Sequence, residues 1–235
     1  YSLKYNLKSV NRIILALDTT NLNQAIKIAQ KVKSKIFTIK LGLEFFNAHG
    51  KEGVKKFNQI GINNIFLDLK LVDVANTIKK SIMALDGINF EYLTIHSFAG
   101  KESIKKAKEA AKQLNPNLKI LAVTLLTSID EIELKSCMKI NNSVEDLVLN
   151  LAKNSSEADG FIASGKESKL LRENFPKHLI FAPGIRMPGD DRHEQKRVVS
   201  PAEALKYSDL IIMGRSLMNG DIKKNLDRVI TSLEI

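Results

Sequence analysis

The chain has 235 residues and a formal net charge of +10, with 44% hydrophobic and 26% charged residues. This composition is typical of a globular protein with a sizeable core, and no apolar run is long enough to cross a bilayer. The N-terminal sequence lacks the apolar stretch of a secretory signal, and the lone Cys137 cannot form an internal disulfide. These features predict a cytoplasmic protein. The lysines are spread over helical stretches without interleaved aromatics, so neither a nucleic acid nor a membrane is predicted as a partner.

Short β-branched runs alternate with amphipathic stretches from the first strand to the last. Runs with a period of two predict strands, and apolar residues three or four apart predict helices. Eight such units with short connections predict a single (β/α)8 TIM-barrel domain over residues 1–235. No G-x-G-x-x-G follows the first strand, which weakens the alternative of an open, doubly wound dinucleotide-binding sheet. The predicted strands are 12–18, 36–43, 64–70, 92–98, 119–128, 159–164, 179–186 and 209–216.

The first four predicted strands carry polar residues near their C-terminal ends. These residues are Asp18, Lys40, Asp68, Lys70 and His96. Alternation places them on the face opposite the helix layer, and barrels of this kind build their active sites at that end. We therefore predict that the charged members converge in space once the barrel closes, whereas His96 is an interior histidine without an acid–base role. The alternative is a structural network of ion pairs that plugs the barrel mouth.

Several segments match one known family in the correct order over nearly the whole chain. They are ALD at the end of the first strand, IKLGLEFF, the D-x-K-x-x-D pattern in DLKLVD, TIHSFAG, AVTLLTS, FAPGIR, the Gln in HEQKRV, and IIMGRS. Together they resemble the orotidine 5′-monophosphate decarboxylase family. Two departures occur: Val72 stands where the family often has an aromatic residue or His, and Val74–Ala75 replace an Ile-Pro pair. The missing proline leaves this turn less restrained.

The resemblance implies a reaction and a set of catalytic residues. The family converts orotidine 5′-monophosphate (OMP) to UMP and CO₂ in de novo pyrimidine synthesis, without metal or cofactor. It implies that Lys70 donates the proton and that Asp68, paired with Lys40, lies beside the substrate carboxylate. It also implies a homodimer in which Asp73 and Thr77 reach into the partner's site. From the residues alone, Asp73 equally fits a helix cap or turn.

The same resemblance implies which residues bind the substrate. Asp18 would accept hydrogen bonds from the ribose hydroxyls, and Thr127 would bond the pyrimidine, although both residue types are also common caps and turn formers. A phosphate site is expected near the last two strands. The residues that match it are Arg186, Gln195, Gly214 and Arg215. The polar loop 187–198 is predicted to close over the ligand.

Two other functions compete with this hypothesis. One is a metal-dependent relative that acts on a sugar phosphate, either a hexulose-phosphate synthase or a keto-sugar-phosphate decarboxylase. Those enzymes place an acidic metal ligand on the second strand, where this chain has Lys40. The other is a non-catalytic binding protein on a barrel scaffold, since fold does not determine chemistry. The remaining histidines and Cys137 show no metal-ligand spacing, so no metal site is predicted.

Overall fold

Eight parallel strands close into a barrel in the computed structural model, which describes residues 12–190 and 197–233. The strands follow the chain order around the barrel, and the first pairs in parallel with the last. The prediction of a (β/α)8 barrel is therefore confirmed. The strands are β1 (Ile13–Ala16), β2 (Thr38–Gly42), β3 (Ile65–Leu71), β4 (Tyr92–His96), β5 (Lys119–Val123), β6 (Gly160–Ile162), β7 (Leu179–Ala182) and β8 (Leu210–Met213).

The helices alternate with the strands, as a parallel barrel requires. Two helices lie between β5 and β6, and a four-residue helical segment precedes the final 12-residue helix after β8. Within the described ranges, none of the helices combines the length and apolarity that a membrane span needs. The helices are α1 (Leu22–Val32), α2 (Leu43–Gln59), α3 (Ala75–Met83), α4 (Lys101–Leu114), α5 (Glu131–Ser136), α6 (Val144–Asn154), α7 (Ser168–Asn174), α8 (Pro201–Ala204), α9 (Arg215–Met218) and α10 (Ile222–Leu233).

Two apolar clusters occupy the two faces of the sheet. The inner cluster includes Ile14, Phe66, Tyr92 and Phe181, and the rings of the last two lie 5.0 Å apart in an edge-on arrangement. The outer cluster joins the alternate strand residues, such as Leu67, to the helices. Aromatic packing therefore fills the barrel interior. Inner-face residues that lie beyond these packed rings, toward the C-terminal ends of the strands, are at the mouth of the barrel.

Seven of the eight strands end earlier than the sequence predicts. The largest differences are at β5, β7 and β8, which end at Val123, Ala182 and Met213, whereas the predicted ends were 128, 186 and 216. The apolar pattern continues past the last paired residue, since Leu17 and Leu125 are buried without belonging to a strand. These three differences fall at C-terminal ends, where the chain leaves the ladder for a loop. Hydrophobic periodicity reports burial and does not distinguish a paired strand from such a loop.

The register between β3 and β4 shifts at the mouth of the barrel. Leu67 pairs with Leu93 and Leu71 pairs with Ile95, so β3 accommodates two more residues than β4 over this stretch. Lys70 lies inside the bulge with φ 45°, and within the described residues Lys139 is the one other non-glycine residue with a positive φ. A left-handed backbone on such a residue costs about 1–3 kcal/mol and persists where its surroundings hold it.

Candidate active site

Four charged side chains form a continuous row across the C-terminal mouth. Lys70 Nζ lies 2.7 Å from Asp68 Oδ2, and Lys40 Nζ lies 3.2 Å from the same oxygen. Lys40 Nζ also lies 3.5 Å from Asp18 Oδ1. The structure thus brings together four of the predicted site residues, from β2, β3 and the segment after β1. Their charges alternate in sign along the row.

The charge on Asp68 is held in a buried position. Burial alone would raise the pKa of Asp68, but the charges of Lys40 and Lys70, with hydrogen bonds from Lys70 and Thr94, lower it to about 2. Burial likewise opposes the charged form of Lys40, yet Asp68 and Asp18 outweigh it and raise the pKa of Lys40. Both groups are therefore ionised at neutral pH.

Gly42 leaves the space that the ammonium group of Lys40 occupies. A Cβ atom at this position would lie 3.3 Å from Lys40 Nζ and 3.6 Å from Asp18 Oδ1. The strand pattern alone gives no reason to single out Gly42, because a small residue in a strand has many uses. In the folded barrel, the absent side chain lets Lys40 reach both of its acidic partners.

Asp73 and Thr77 are exposed on the loop and the helix that follow β3. The Asp73 carboxylate accepts a hydrogen bond from the backbone N–H of Val74 at 2.7 Å. The backbone carbonyl of Asp73 accepts one from Ser103 Oγ at 3.0 Å. The N-cap of α3 is Val74, not Asp73. In the described part of the chain, no ion pair joins Asp73 to a Lys, Arg or His side chain.

Three of the residues predicted to bind phosphate lie at the ends of β7 and β8. Gly214 caps α9, which begins at Arg215. A Cβ atom on Gly214 would lie 3.5 Å from Asp18 Oδ2, so this turn adjoins the charged row. Arg186 follows β7 and donates from Nη1 to the carbonyl of Ile185 at 2.9 Å. The fourth, Gln195, and most of the central part of loop 187–198 lie outside the described residues.

Thr127 is buried in the loop after β5, and an unpredicted ion pair holds this loop. The backbone N–H of Arg197 donates to the Thr127 carbonyl at 3.3 Å, and Arg197 Nη2 donates to the carbonyls of Leu125 and Leu126 at 3.1 and 3.0 Å. Arg197 Nη1 in turn lies 2.8 Å from Glu167 Oε2. The two residues of this ion pair are 30 positions apart, in polar stretches whose composition is typical of surface loops. Nothing in the sequence therefore predicts the ion pair.

His96 is the last residue of β4 and lies on the inner face of the barrel, beside the charged row. Its Nδ1 accepts a hydrogen bond from the Phe98 N–H at 3.3 Å, and its ring stacks on that of Phe98. Burial, and then the charge of Lys70, lower the pKa of His96. It is therefore neutral at physiological pH. Within 12–190 and 197–233, no group of three or more His, Cys, Asp or Glu residues is arranged to hold a metal ion.

A closed barrel of eight parallel strands with such a row at its C-terminal mouth defines an enzyme of the (β/α)8 class. Residues 11–225 match the model of the Orotidine 5'-phosphate decarboxylase / HUMPS family. Since this match covers most of the chain, the chain belongs to that family.

Individual relatives agree with this membership. The chain is 37% identical over 234 residues to the orotidine 5'-phosphate decarboxylase of Buchnera aphidicola, a match that spans 97% of this chain and 98% of the relative. The corresponding protein of Sphingopyxis alaskensis is 38% identical over 208 residues, with 87% and 91% of the two chains covered. The crystal structure of orotidine 5'-phosphate decarboxylase from Lactobacillus acidophilus superimposes with a TM-score of 0.81 at 33% identity, covering 96% of this chain and 100% of that chain.

Proposed function

We propose that the protein decarboxylates OMP to UMP and CO₂ without a cofactor, in the cytoplasm, as a step of de novo pyrimidine synthesis. The observation that carries this proposal is the row of Lys40, Asp68 and Lys70, in which one oxygen of the buried Asp68 carboxylate lies 3.2 and 2.7 Å from two ammonium groups. Such a row supplies fixed charge and a proton donor in one place. The name of the family includes this decarboxylase beside HUMPS, and the relatives from Buchnera aphidicola and Sphingopyxis alaskensis are named orotidine 5'-phosphate decarboxylase.

Lys70 is the proton donor in this mechanism. When the bond between the ring and the carboxylate breaks, CO₂ leaves and the electron pair remains on the ring carbon. The ammonium group of Lys70 stabilises the developing negative charge and then transfers one proton to that carbon. The product is UMP, and the neutral amine regains its proton from water. Asp68 holds the ammonium group of Lys70 in place before the reaction, since the two groups form an ion pair at 2.7 Å.

Asp68 has a second role that depends on its position. In the proposed complex its carboxylate lies beside the substrate carboxylate, and the repulsion between them disappears as CO₂ forms. Such ground-state destabilisation lowers the barrier when other contacts hold the substrate in place. Asp18 supplies one of those contacts by accepting hydrogen bonds from the ribose, and Thr127 supplies another by bonding the pyrimidine. The phosphate is held by Arg186, Gln195, Gly214 and Arg215.

A direct assay tests the proposed function. Addition of OMP to the purified protein with excess chelator is expected to cause loss of the orotate ultraviolet absorbance and stoichiometric formation of UMP. The metal-dependent sugar-phosphate enzymes require an acidic metal ligand where this chain has Lys40, so that alternative is not favoured. Absence of UMP under these conditions would contradict the proposal. Turnover of a sugar phosphate that chelator abolishes would favour the metal-dependent class.

Replacement of Arg215 by alanine is expected to weaken UMP binding by about 10–100-fold, because a hydrogen bond to a charged group contributes about 1.5–3 kcal/mol. Uridine, which lacks the phosphate, should bind the variant as well as it binds the wild type. The measurement is calorimetric titration with both ligands. Lys105→Ala, which removes an exposed charge from α4, is the matched control and should leave both affinities unchanged. Equal losses for UMP and uridine would contradict a phosphate role.

We also propose that the protein is a homodimer in which Asp73 and Thr77 complete the partner's site. Large apolar side chains are exposed after three neighbouring strands: Leu43, Val74 and Phe98 are 50%, 68% and 52% exposed. An exposed apolar patch beside a site is typical of an interface, and a twofold axis would bury it against its own copy. The exposed carboxylate of Asp73 in the same loop supports this arrangement.

Mixing two inactive variants tests the shared site. Lys70→Ala and Asp73→Ala are each expected to be inactive, but a mixed dimer contains one site with both residues intact. Random exchange of subunits should therefore restore roughly a quarter of the wild-type activity, because half of the dimers are mixed and each has one working site. The matched control is a mixture of Lys70→Ala and Asp68→Ala, whose defects lie in the same half-site. No recovery in the first mixture would contradict the shared site.

A further inference from the structure

Thr94 lies between the two residues to which the proposed mechanism assigns charge and proton transfer. It occupies the middle of β4, is fully buried, and faces the interior together with His96. Its hydroxyl donates to Asp68 Oδ1 at 2.9 Å and accepts a hydrogen bond from the backbone N–H of Lys70 at 2.8 Å. A hydroxyl has one proton and two lone pairs, so these two bonds fix its orientation.

The contact with Lys70 falls where the backbone is strained. The bulge in β3 interrupts the regular ladder between Leu67 and Leu71, and Lys70 has φ 45°. At this bulge the N–H of Lys70 is bonded by the hydroxyl of a neighbouring strand. The side chain of Thr94 thus holds the backbone from which the ammonium group of Lys70 is placed.

The contact with Asp68 fixes the rotation of the carboxylate. Oδ1 is taken by Thr94, which leaves Oδ2 for the ammonium groups of Lys70 and Lys40 at 2.7 and 3.2 Å. Without the Thr94 proton, Oδ1 would remain buried with one donor fewer, and the carboxylate would be free to turn toward either lysine. The hydrogen bond from Thr94 also contributes to the lowered pKa of Asp68.

We propose that Thr94 is a positioning residue for decarboxylation, whose hydroxyl sets the carboxylate plane of Asp68 and the backbone of Lys70 at the same time. The proposal rests on the proposed function. It assigns Thr94 no contact with substrate. Its effect is on the distance between the Lys70 ammonium group and the reacting carbon, and a misplacement of about 1 Å at such a point lowers a rate by about 10²-fold.

Two substitutions separate positioning from packing. Thr94→Val keeps the volume and removes the hydroxyl, whereas Thr94→Ser keeps the hydroxyl and removes a methyl group. We expect Thr94→Val to lower kcat by about 10²-fold with KM for OMP changed less than about threefold. Thr94→Ser should retain kcat within about fivefold of the wild type, even if it unfolds at a lower temperature, since it leaves a small cavity. The reverse order, or equal losses in the two variants, would overturn the proposal.

Hydrogen exchange at the Lys70 amide provides a readout that does not require turnover. The amide should be protected in the wild type and in Thr94→Ser, and should exchange faster in Thr94→Val by about tenfold or more. Unchanged protection in Thr94→Val would overturn the positioning role. If the wild-type protein fails to produce UMP, the proposed function fails, while the exchange pattern still decides whether Thr94 holds Lys70.

Discussion

Replacement of Lys70 by alanine is expected to lower kcat for OMP decarboxylation by about 10⁴-fold or more. General acid catalysis contributes about 10²–10⁴-fold, and loss of a preorganised charge costs a further 10²–10³-fold. Lys70 serves both purposes, since its ammonium group lies in the row, 2.7 Å from Asp68. The rate is measured under saturating OMP, together with UMP affinity, which separates loss of chemistry from loss of binding.

The fold of this variant should remain intact. Asp68 keeps its ion pair with Lys40 and its hydrogen bond from Thr94, so removal of Lys70 does not leave the buried carboxylate alone. The unfolding free energy is therefore expected to change by less than about 2 kcal/mol. Lys153→Ala, an exposed lysine of α6, is the matched control for charge and should behave like the wild type. Turnover of Lys70→Ala within about tenfold of the wild type would refute the assignment.

The charged row shows what periodicity can predict. The two-residue repeat placed Lys40 on the inner face of β2 and Asp68 on that of β3, and closure of the barrel brings them to 3.2 Å. The separation between them, 28 residues, is bridged by one strand–helix unit, so local pattern and topology together were sufficient. The same rule holds for Asp18, which continues the inner face of β1 beyond its last paired residue.

Other features of the site depend on details that no local pattern encodes. The bulge that gives Lys70 its positive φ arises from a register shift between β3 and β4, and a regular two-residue repeat predicts none. Thr94 alternates onto the inner face of β4 with His96, but alternation alone does not predict its hydrogen bonds with Asp68 and the Lys70 amide. The shared role proposed for Asp73 and Thr77 involves a second subunit, and one chain's sequence contains no direct record of a partner's position.

Replacement of Arg197 by methionine is expected to lower the free energy of unfolding by about 3–5 kcal/mol at pH 8, because it leaves the charge of Glu167 buried and unpaired. Arg197 and Glu167 are 6% and 2% exposed, and Arg197 Nη1 lies 2.8 Å from Glu167 Oε2. Arg197 also donates to the carbonyls of Leu125 and Leu126, so its loss releases the loop that carries Thr127. Denaturant unfolding measures the change.

The loss should depend on pH in a direction that identifies its cause. Burial raises the pKa of Glu167 despite the opposing charge of Arg197, and without Arg197 that pKa should rise further. A carboxyl whose folded-state pKa exceeds its unfolded value binds more protons when folded, so stability falls as pH rises through that interval. Arg197→Met should therefore be less destabilised at pH 5 than at pH 8.

Two further variants separate the buried pair from an ordinary loss of contacts. Glu167→Gln in the Arg197→Met background removes the buried charge, and should recover part of the stability at pH 8 and abolish the pH dependence. Arg228→Met breaks a more exposed pair, in which Arg228 Nη1 lies 3.1 Å from Asp190, and is expected to cost about 1 kcal/mol. A pH-independent loss in Arg197→Met, or a double variant no more stable than the single one, would show that the unpaired charge is not the cause. In that case the lost hydrogen bonds to the loop after β5 would account for the destabilisation.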